Sequence, residues 1–165
     1  EGIELTSAIL AARLLILTGC RLNEIMTLKW ERVDLTATVL RLPGSKTGGK
    51  LVHLGQPAAE LLETAERVTD NPWVITGTLE GKRLSDLQPF WQRVRARAGL
   101  KDVRIHDLRH TFASTAVATG QGLPMIGKLL GHTQVQTTAR YAHLAPEPVK
   151  IAANSVAHSL RQALG

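Results

Sequence analysis

The sequence contains a single cysteine, Cys20, so no disulfide bond can form within the chain. This excludes the small secreted proteins that depend on disulfides and favours a reducing compartment. No apolar run approaches the roughly 18 residues that a membrane-spanning helix needs. Arg13 interrupts the longest such stretch, which runs from Ala8 to Leu17. No signal peptide is recognisable either. We therefore expect a cytoplasmic protein that does not associate with membranes.

The chain also has no initiator methionine and begins directly in a helical pattern, so we expect it to be part of a longer protein. Its 165 residues suit one compact domain, with at most a short appendage. Hydrophobic residues make up 44% and charged residues 21%, which excludes disordered, collagen-like and low-complexity chains. A chain of this length buries roughly two-thirds of its unfolded surface and needs no disulfide or metal to hold a core.

Positive charge is concentrated in one part of the sequence. The net charge is +6, from 20 basic and 14 acidic residues. The segment from Lys82 to Arg109 holds eight basic and three acidic residues, a net charge of +5 that leaves +1 for the rest of the chain. Such a local field attracts polyanions, of which nucleic acid is the commonest. The alternative is an ordinary solvated basic helix face.

Apolar periodicity predicts a mainly helical α+β protein with a small antiparallel sheet near the N-terminus. Helices are predicted over about 5–18, 21–28, 57–68, 87–98, 106–119, 124–131, 134–143 and 149–163, and strands over 39–42 and 51–54. The Gly-rich segment between the strands predicts a hairpin turn. Within the first helix, Leu5, Ile9, Ala12 and Ile16 recur at helical spacing. Leu10, Leu14 and Leu17 widen this apolar stripe, so we expect most of the helix to be buried. Ser85 to Gln88 resembles a capping box.

Two motifs near the N-terminus carry charged side chains. Arg21 and Glu24 are three residues apart, which places both side chains on one helix face. They could equally form a simple surface ion pair. Lys46 lies in the Gly-rich hairpin turn, from which a lysine can enter a neighbouring cleft, although most such lysines are merely solvated.

A third motif, His106-Asp107-Leu108-Arg109-His110, allows two interpretations. His106 and His110 are four residues apart on one helix face, which resembles the H-E-x-x-H zinc motif with Asp in place of Glu. Alternatively, His106 acts as an acid–base group beside Arg109, which lies one turn away and binds phosphate.

Tyr141 is the only tyrosine in the chain and follows His132 by nine residues. A lone tyrosine near a helix end is usually a packing residue, but any phenol nucleophile must be this one. The arginines could grip a phosphodiester by bidentate hydrogen bonds. Cations of this kind stabilise the transition state of phosphoryl transfer, and a tyrosine can form a covalent phosphoryl intermediate.

Four strings resemble, in order and spacing, the motifs of the tyrosine recombinase family of the phage-integrase type. They are LTGCRLNEIMTLKW, SKTGGKLVHL, HDLRHTFAS and LGHTQVQTTARYAHL. The resemblance covers essentially the whole chain and implies the helical catalytic domain of a DNA breaking and rejoining enzyme. It also implies that an N-terminal DNA-clamping domain of the full protein is absent from this chain.

The resemblance implies a role for each matching residue. Arg21 and Arg109 would bind the scissile phosphate, and Lys46 would protonate the leaving 5′-oxygen. His106 would be the acid–base histidine, and His132 would hydrogen-bond a phosphate oxygen. Tyr141 would form a 3′-phosphotyrosine with DNA. Supporting roles fall to Glu24, at the acidic position that accompanies the first arginine, and to His110, which is interpreted as structural support.

We therefore predict a site-specific DNA recombinase or integrase domain that needs no cofactor, metal or ATP. Residues 1–145 would form the catalytic domain, and 146–165 a C-terminal helix that packs in cis or on a neighbouring protomer. The expected partners are double-stranded DNA and, in the full protein, further protomers in a tetrameric synapse, whereas this chain alone would be a monomer. We expect DNA contacts from Lys50, Arg93, Arg95, Arg97, Lys101 and Arg104. The alternatives are a type IB topoisomerase, a catalytically inactive DNA-binding regulator and a zinc hydrolase.

Overall fold

A computed structural model of the chain describes residues 5–43, 49–132, 135–144 and 148–164. Its helices are α1 Thr6–Thr18, α2 Leu22–Met26, α3 Gln56–Glu63, α4 Gln88–Arg97, α5 Asp107–Ala118, α6 Leu123–Leu130, α7 Val135–Ala139 and α8 Pro148–Ala163. The strands are β1 Val33–Asp34, β2 Val39–Leu42 and β3 Lys50–His53. The predicted fold class, mainly helical with a small antiparallel sheet, is confirmed. None of the described helices is long and apolar enough to cross a membrane.

The sheet has the order β1-β2-β3 and is antiparallel throughout. Leu40 pairs with Val33 on one side and with Val52 on the other, and both Leu40 and Val52 are buried. The last pair of the β2–β3 ladder is Leu42 with Lys50, and the predicted Gly-rich turn between them lies mostly outside the described residues. This register places Lys50 at the end of the sheet beside the N-terminus of α2, where its ammonium reaches Glu24.

Two apolar clusters make up the core. The larger one lies between α1, α2, the sheet, α3 and α4. The smaller one joins α5 and α6 and includes Ala113, Val117, Ile126 and Leu130. Tyr141 belongs to this smaller cluster, so the single tyrosine is held by packing against α5 and α6.

The predicted buried face of α1 is only partly correct. Leu14 of the predicted stripe is buried, together with Ala8, Ala11 and Leu15. In contrast, Leu5, Ile16 and Leu17 of that stripe are exposed. The reason is that α1 is apolar around most of its circumference, so spacing alone does not define one face. Packing against α2, α3 and α5 selects the buried side.

Two further local expectations are wrong. The third helix ends at Glu63, five residues before the predicted end at Val68. At α4, the Ser85 to Gln88 capping box does not form. Instead, the Asp86 carboxylate accepts a hydrogen bond from the Gln88 backbone N–H at 2.9 Å.

Gly19 ends α1 in a left-handed conformation, with φ +62°. A Cβ at this position would lie 2.5 Å from Cδ1 of Phe112 and 3.0 Å from Cδ2 of Leu130. Glycine therefore serves two purposes here. It accepts the positive φ that ends the helix, and it lets α1 approach α5 and α6 closely.

We predict that Gly19→Ala destabilises the protein more than Gly120→Ala does. Gly120 also has a positive φ, +82°, but no atom lies within 4 Å of a Cβ there. The control should cost about 1–2 kcal/mol for backbone strain. Gly19→Ala should cost about 1–3 kcal/mol more because of overpacking. Urea unfolding midpoints measure both. Equal losses would show that the close packing at Gly19 is unimportant.

Candidate active site

Arg109 lies in the first turn of α5 and is almost fully buried, with 5% of its surface exposed. Its guanidinium donates one hydrogen bond to the carbonyl of Gly19 and another to the carbonyl of Leu130, the latter at 2.9 Å. These carbonyls belong to the C-terminal ends of α1 and α6, where backbone acceptors lack partners within the helix. Burial, followed by the nearby charge of Arg21, lowers the pKa of Arg109. The side chain is thus fixed at the point where three helices meet.

Arg21 lies at the N-cap of α2, three residues before Glu24. The Glu24 carboxylate accepts hydrogen bonds from the Arg21 backbone N–H at 2.7 Å and from its guanidinium at 3.1 Å. The Arg21 side chain remains 53% exposed, so its guanidinium still faces solvent. The predicted proximity of Arg21 and Glu24 is therefore present. The ion pair orients the exposed guanidinium of Arg21 at the surface of the site.

Glu24 also holds Lys50, which is 26 residues away in the sequence. The Lys50 ammonium lies 3.1 and 2.9 Å from the two carboxylate oxygens, and its side chain is only 15% exposed. Burial acts to raise the pKa of Glu24, but the Arg21 N–H and the Lys50 ammonium outweigh it, and that pKa is lowered. Gly131 makes room for Lys50, because a Cβ there would lie 2.5 Å from its Cε.

His132 follows the left-handed glycine that ends α6. Its Nδ1 lies 2.9 Å from the hydroxyl oxygen of Thr138, which is 1% exposed. Burial, together with the charges of Arg109 and Arg21, lowers the pKa of His132 to about 4. At neutral pH the ring is therefore uncharged. The contact at Nδ1 leaves Nε2 for a substrate oxygen.

Tyr141 is buried, with 6% of its surface exposed, and its hydroxyl lies 2.6 Å from Nδ1 of His110. Burial raises the pKa of the phenol, although Arg140 and Arg109 act in the opposite direction. Burial and the neighbouring His106 lower the pKa of His110. The His106 and His110 rings meet edge to face, with centroids 4.8 Å apart.

These side chains converge on one concavity of about 230 Å³. Its lining residues are Arg21, His106, Arg109, His110, His132, Thr137, Arg140 and Tyr141. The concavity combines three guanidinium groups, three imidazoles and the phenol of Tyr141. Such a set can bind an anion, exchange protons with it and attack it with an oxygen nucleophile.

Five of the six predicted catalytic residues therefore lie around this concavity. They are Arg21, His106, Arg109, His132 and Tyr141. Lys46, the sixth, falls outside the described residues. Both supporting residues are in contact with this group, since Glu24 binds Arg21 and His110 contacts Tyr141.

Two of the predicted DNA-contacting residues, Arg95 and Arg104, line a concavity that adjoins the site. Arg93, Arg97, Lys101 and Arg104 are exposed, and half-buried Arg95 donates to the carbonyl of Val103 at 3.4 Å. A second concavity of about 330 Å³ is lined by Gln88, Gln92, Arg95 and Arg104, and it meets the first at His106 and Arg109. Lys50 differs from the others because its ammonium binds Glu24.

Arg140 and Thr138 were not predicted. The only available signal for Arg140 was its position immediately before Tyr141, and Thr138 lies six residues from the histidine it contacts. The zinc alternative gains no support from the described ranges, 5–43, 49–132, 135–144 and 148–164. Within them no group of three or more His, Cys, Asp or Glu side chains could hold a metal ion.

The sequence matches the phage integrase family over residues 4–147. It is 30% identical to tyrosine recombinase XerD of Vibrio cholerae over 152 residues, which cover 83% of this chain and 49% of that protein. XerD of Haemophilus influenzae is 32% identical over 149 residues, with 83% and 50% covered. The chain spans about half the length of the curated relatives it matches.

Solved structures share the fold. The XerH site-specific recombinase in a post-cleavage complex with palindromic difH substrate gives a TM-score of 0.72 at 24% identity, covering 92% of this chain and 48% of that one. The catalytic domain of bacteriophage HP1 integrase gives 0.65 at 24% identity, covering 88% and 79%. The family match over most of the chain, together with the converging side chains, confirms the relationship expected from the four motifs. The chain belongs to the phage integrase family.

Proposed function

We propose that this chain is the catalytic domain of a site-specific recombinase that cleaves and rejoins duplex DNA through a 3′-phosphotyrosine. One observation carries the proposal: Tyr141, the only tyrosine of the chain, lines the same concavity as Arg21 and Arg109. Phosphodiester oxygens are the ligands that paired guanidinium groups bind best. Bound there, a scissile phosphate would lie beside an oxygen nucleophile.

The proposed reaction has two transesterifications. The oxygen of Tyr141 attacks phosphorus, the bond to the 5′-oxygen breaks, and Lys46 gives that oxygen its proton. A 5′-hydroxyl from another strand then attacks the phosphotyrosine and reverses the sequence. The energy of the phosphodiester is kept in the covalent intermediate, so ATP is not consumed. The arginines stabilise the charge that develops on phosphorus, which is the task a metal ion performs in other phosphoryl transfer enzymes.

Duplex DNA is the proposed substrate because of the charge around the concavity. The +5 segment begins before α4 and ends at Arg109. Of its exposed members Arg93, Arg97, Lys101 and Arg104, the last lines the concavity that adjoins the site. Non-specific binding of this type weakens steeply as salt concentration rises. Two solved structures are named as complexes of the XerH site-specific recombinase with difH substrate, and a third as the Tn1549 transposon integrase in complex with circular intermediate DNA. These names support the same class of partner here.

Further protomers are the second proposed partner, docked through α8. Every described side chain from Ala152 to Leu164 is exposed, including Val156 at 60% and Leu160 at 58%. An apolar helix face requires a covering surface. A concavity of about 530 Å³ that includes Ile16, Leu17, Phe112 and Leu129 offers an apolar surface on the body of the domain. We propose that α8 of one protomer docks in this groove of the next.

The proposal for the nucleophile predicts that Tyr141→Phe abolishes covalent attachment to DNA without unfolding the domain. Loss of one hydroxyl changes little packing, whereas the covalent route needs that oxygen. The substrate is a library of nicked duplexes with randomised sequence, and adducts are detected on denaturing gels. A Phe variant that still forms adducts would contradict the assignment.

The same library separates the alternatives. A wild-type chain that binds DNA but forms no adduct would be an inactive regulator. Adducts that relax supercoiled plasmid without exchanging strands between duplexes would indicate a topoisomerase.

A second prediction distinguishes the two lysines of the hairpin. Lys46→Ala should slow cleavage by about 10²–10⁴-fold, and a substrate with sulfur in place of the 5′-oxygen should restore the rate, because a thiolate leaves without a proton. Lys50→Met should slow cleavage of both substrates, since it removes the cation that holds Glu24 beside Arg21. Rates of adduct formation measure both effects. Rescue of Lys50→Met, but not of Lys46→Ala, would make Lys50 the acid.

The docking proposal predicts that Val156→Asp combined with Leu160→Asp prevents assembly of several protomers on DNA. Both residues are exposed, so folding and single-site adduct formation should persist. Asn154→Asp with His158→Asp adds the same charge to the opposite face of α8 and is the control. Native gels on duplexes with one or two sites report assembly. Unfolding of the first variant would show that the stripe is part of the core, and unchanged assembly would refute the docking.

A further inference from the structure

His110 has a direct contact with the nucleophilic oxygen that its motif does not predict. It lies in the first turn of α5, half-buried, and its Nδ1 is 2.6 Å from the hydroxyl oxygen of Tyr141, 31 residues further along the chain. The two ring centroids are 5.9 Å apart and their planes are inclined by 51°. The contact is therefore an edge hydrogen bond between a ring nitrogen and a phenol.

The chemistry of the pair favours the phenol as the donor. Burial raises the pKa of Tyr141, so the phenol keeps its proton at neutral pH. Burial and then His106 lower the pKa of His110, so its imidazole is uncharged there. A neutral imidazole has one nitrogen with a free lone pair. If Nδ1 of His110 is that nitrogen, the hydroxyl of Tyr141 donates its hydrogen bond to a group that can also accept the proton.

The other two histidines of the site have different contacts. His132 directs its Nδ1 at the hydroxyl of Thr138 at 2.9 Å. His106 meets the edge of the His110 ring. Of the three histidines, His110 is therefore the one that can accept a hydrogen bond from the hydroxyl of Tyr141.

We propose that His110 is a catalytic residue, the base that accepts the phenolic proton of Tyr141. As the Tyr141 oxygen bonds to phosphorus, its proton passes to Nδ1 of His110. The phosphorus bond to the 5′-oxygen breaks, and that oxygen takes a proton from a separate donor, for which Lys46 is proposed. In the rejoining step His110 returns its proton to the departing phenol. The inference rests on the proposed function of Tyr141.

The surroundings of His110 suit a proton that must be returned. The charged and titratable groups that face it are His106 and Asp107 at the start of α5, Arg104 before that helix, and Arg140 and Tyr141 after α7. Arg140 and Arg104 disfavour the imidazolium, whereas Asp107 favours it. Asp107 therefore offsets part of the effect of the two arginines on the imidazolium.

The sign of the pH dependence follows from the direction of the pKa shift. His110 accepts a proton only when neutral, and its pKa is lowered from 6.5. The rate of adduct formation should therefore be constant above that lowered pKa and fall as pH drops through it. A phenol that had to ionise unaided would instead give a rate that rises with pH up to the raised pKa of Tyr141.

The decisive variant is His110→Asn. The asparagine carbonyl oxygen can occupy the position of Nδ1 and accept the same hydrogen bond, but it cannot take up a proton near neutral pH. We expect adduct formation on the nicked library to slow by about 10²–10⁴-fold. The acidic limb of the pH profile should disappear, and the rate should rise with pH. A 5′-bridging sulfur should not rescue this variant, since the defect lies in the nucleophile.

The single tyrosine permits a second, independent measurement. Biosynthetic replacement of tyrosine by 3,5-difluorotyrosine alters only residue 141 and lowers the pKa of its phenol. In His110→Asn this should recover most of the lost rate. In the wild-type chain the acidic limb should stay in place, because it belongs to His110. That second measurement tests the proposal even if His110→Asn does not fold.

Two outcomes would overturn the inference. One is a His110→Asn variant that cleaves at the wild-type rate with an unchanged pH profile. The other is a wild-type acidic limb that moves with the phenol pKa on fluorination. Failure of the wild-type chain to form any adduct is a different result, because it contradicts the proposed function itself.

Discussion

The buried guanidinium of Arg109 is the contact on which the site depends. By donating to the carbonyls of Gly19 and Leu130, it joins the ends of α1 and α6 to the first turn of α5. Arg21 lies two residues after Gly19, and His132 lies two residues after Leu130. A shift of either helix would thus move one of the proposed phosphate-binding groups. It would also break a hydrogen bond to a buried charge, which costs more than the loss of a neutral hydrogen bond. Fold and site share this one side chain.

The balance of charge explains why the site is ready for an anion. Three arginines and several imidazoles converge, and the counter-charge that pairs with Arg21 is Glu24. The same carboxylate is shared with Lys50, so neither cation is fully neutralised by it. Burial, followed by the charges of neighbouring cations, lowers the pKa of Arg109 and of His132, so the site disfavours positive charge in the absence of a substrate. A phosphodiester placed in the concavity would offset that effect, and its charge increases as phosphorus becomes five-coordinate.

The sequence predicts the elements and most of the site, but not the contacts between distant segments. The ends of α1 and α6 could be predicted from the sequence, because glycine commonly ends a helix in a left-handed conformation. The buried face of α1 was not, since its apolar residues surround the helix. Nor could spacing reveal that Lys50 binds Glu24 or that His110 contacts Tyr141. Those pairs are 26 and 31 residues apart, and tertiary packing alone brings them together. The motif assigned His110 to structural support because the motif contains no information about what its ring touches.

The polarity of the helices around the concavity gives Arg109 a second task. α2 and α5 begin at the site, with Arg21 and His106 as their N-caps, so their positive dipole ends favour an anion. α1 and α6 end there, and their carbonyls would repel one. A guanidinium bonded to those carbonyls reverses the local sign of the field. Lysine at this position would keep the charge but not the planar fork that reaches two carbonyls at once. The need for arginine therefore arises from helix geometry before any substrate is considered.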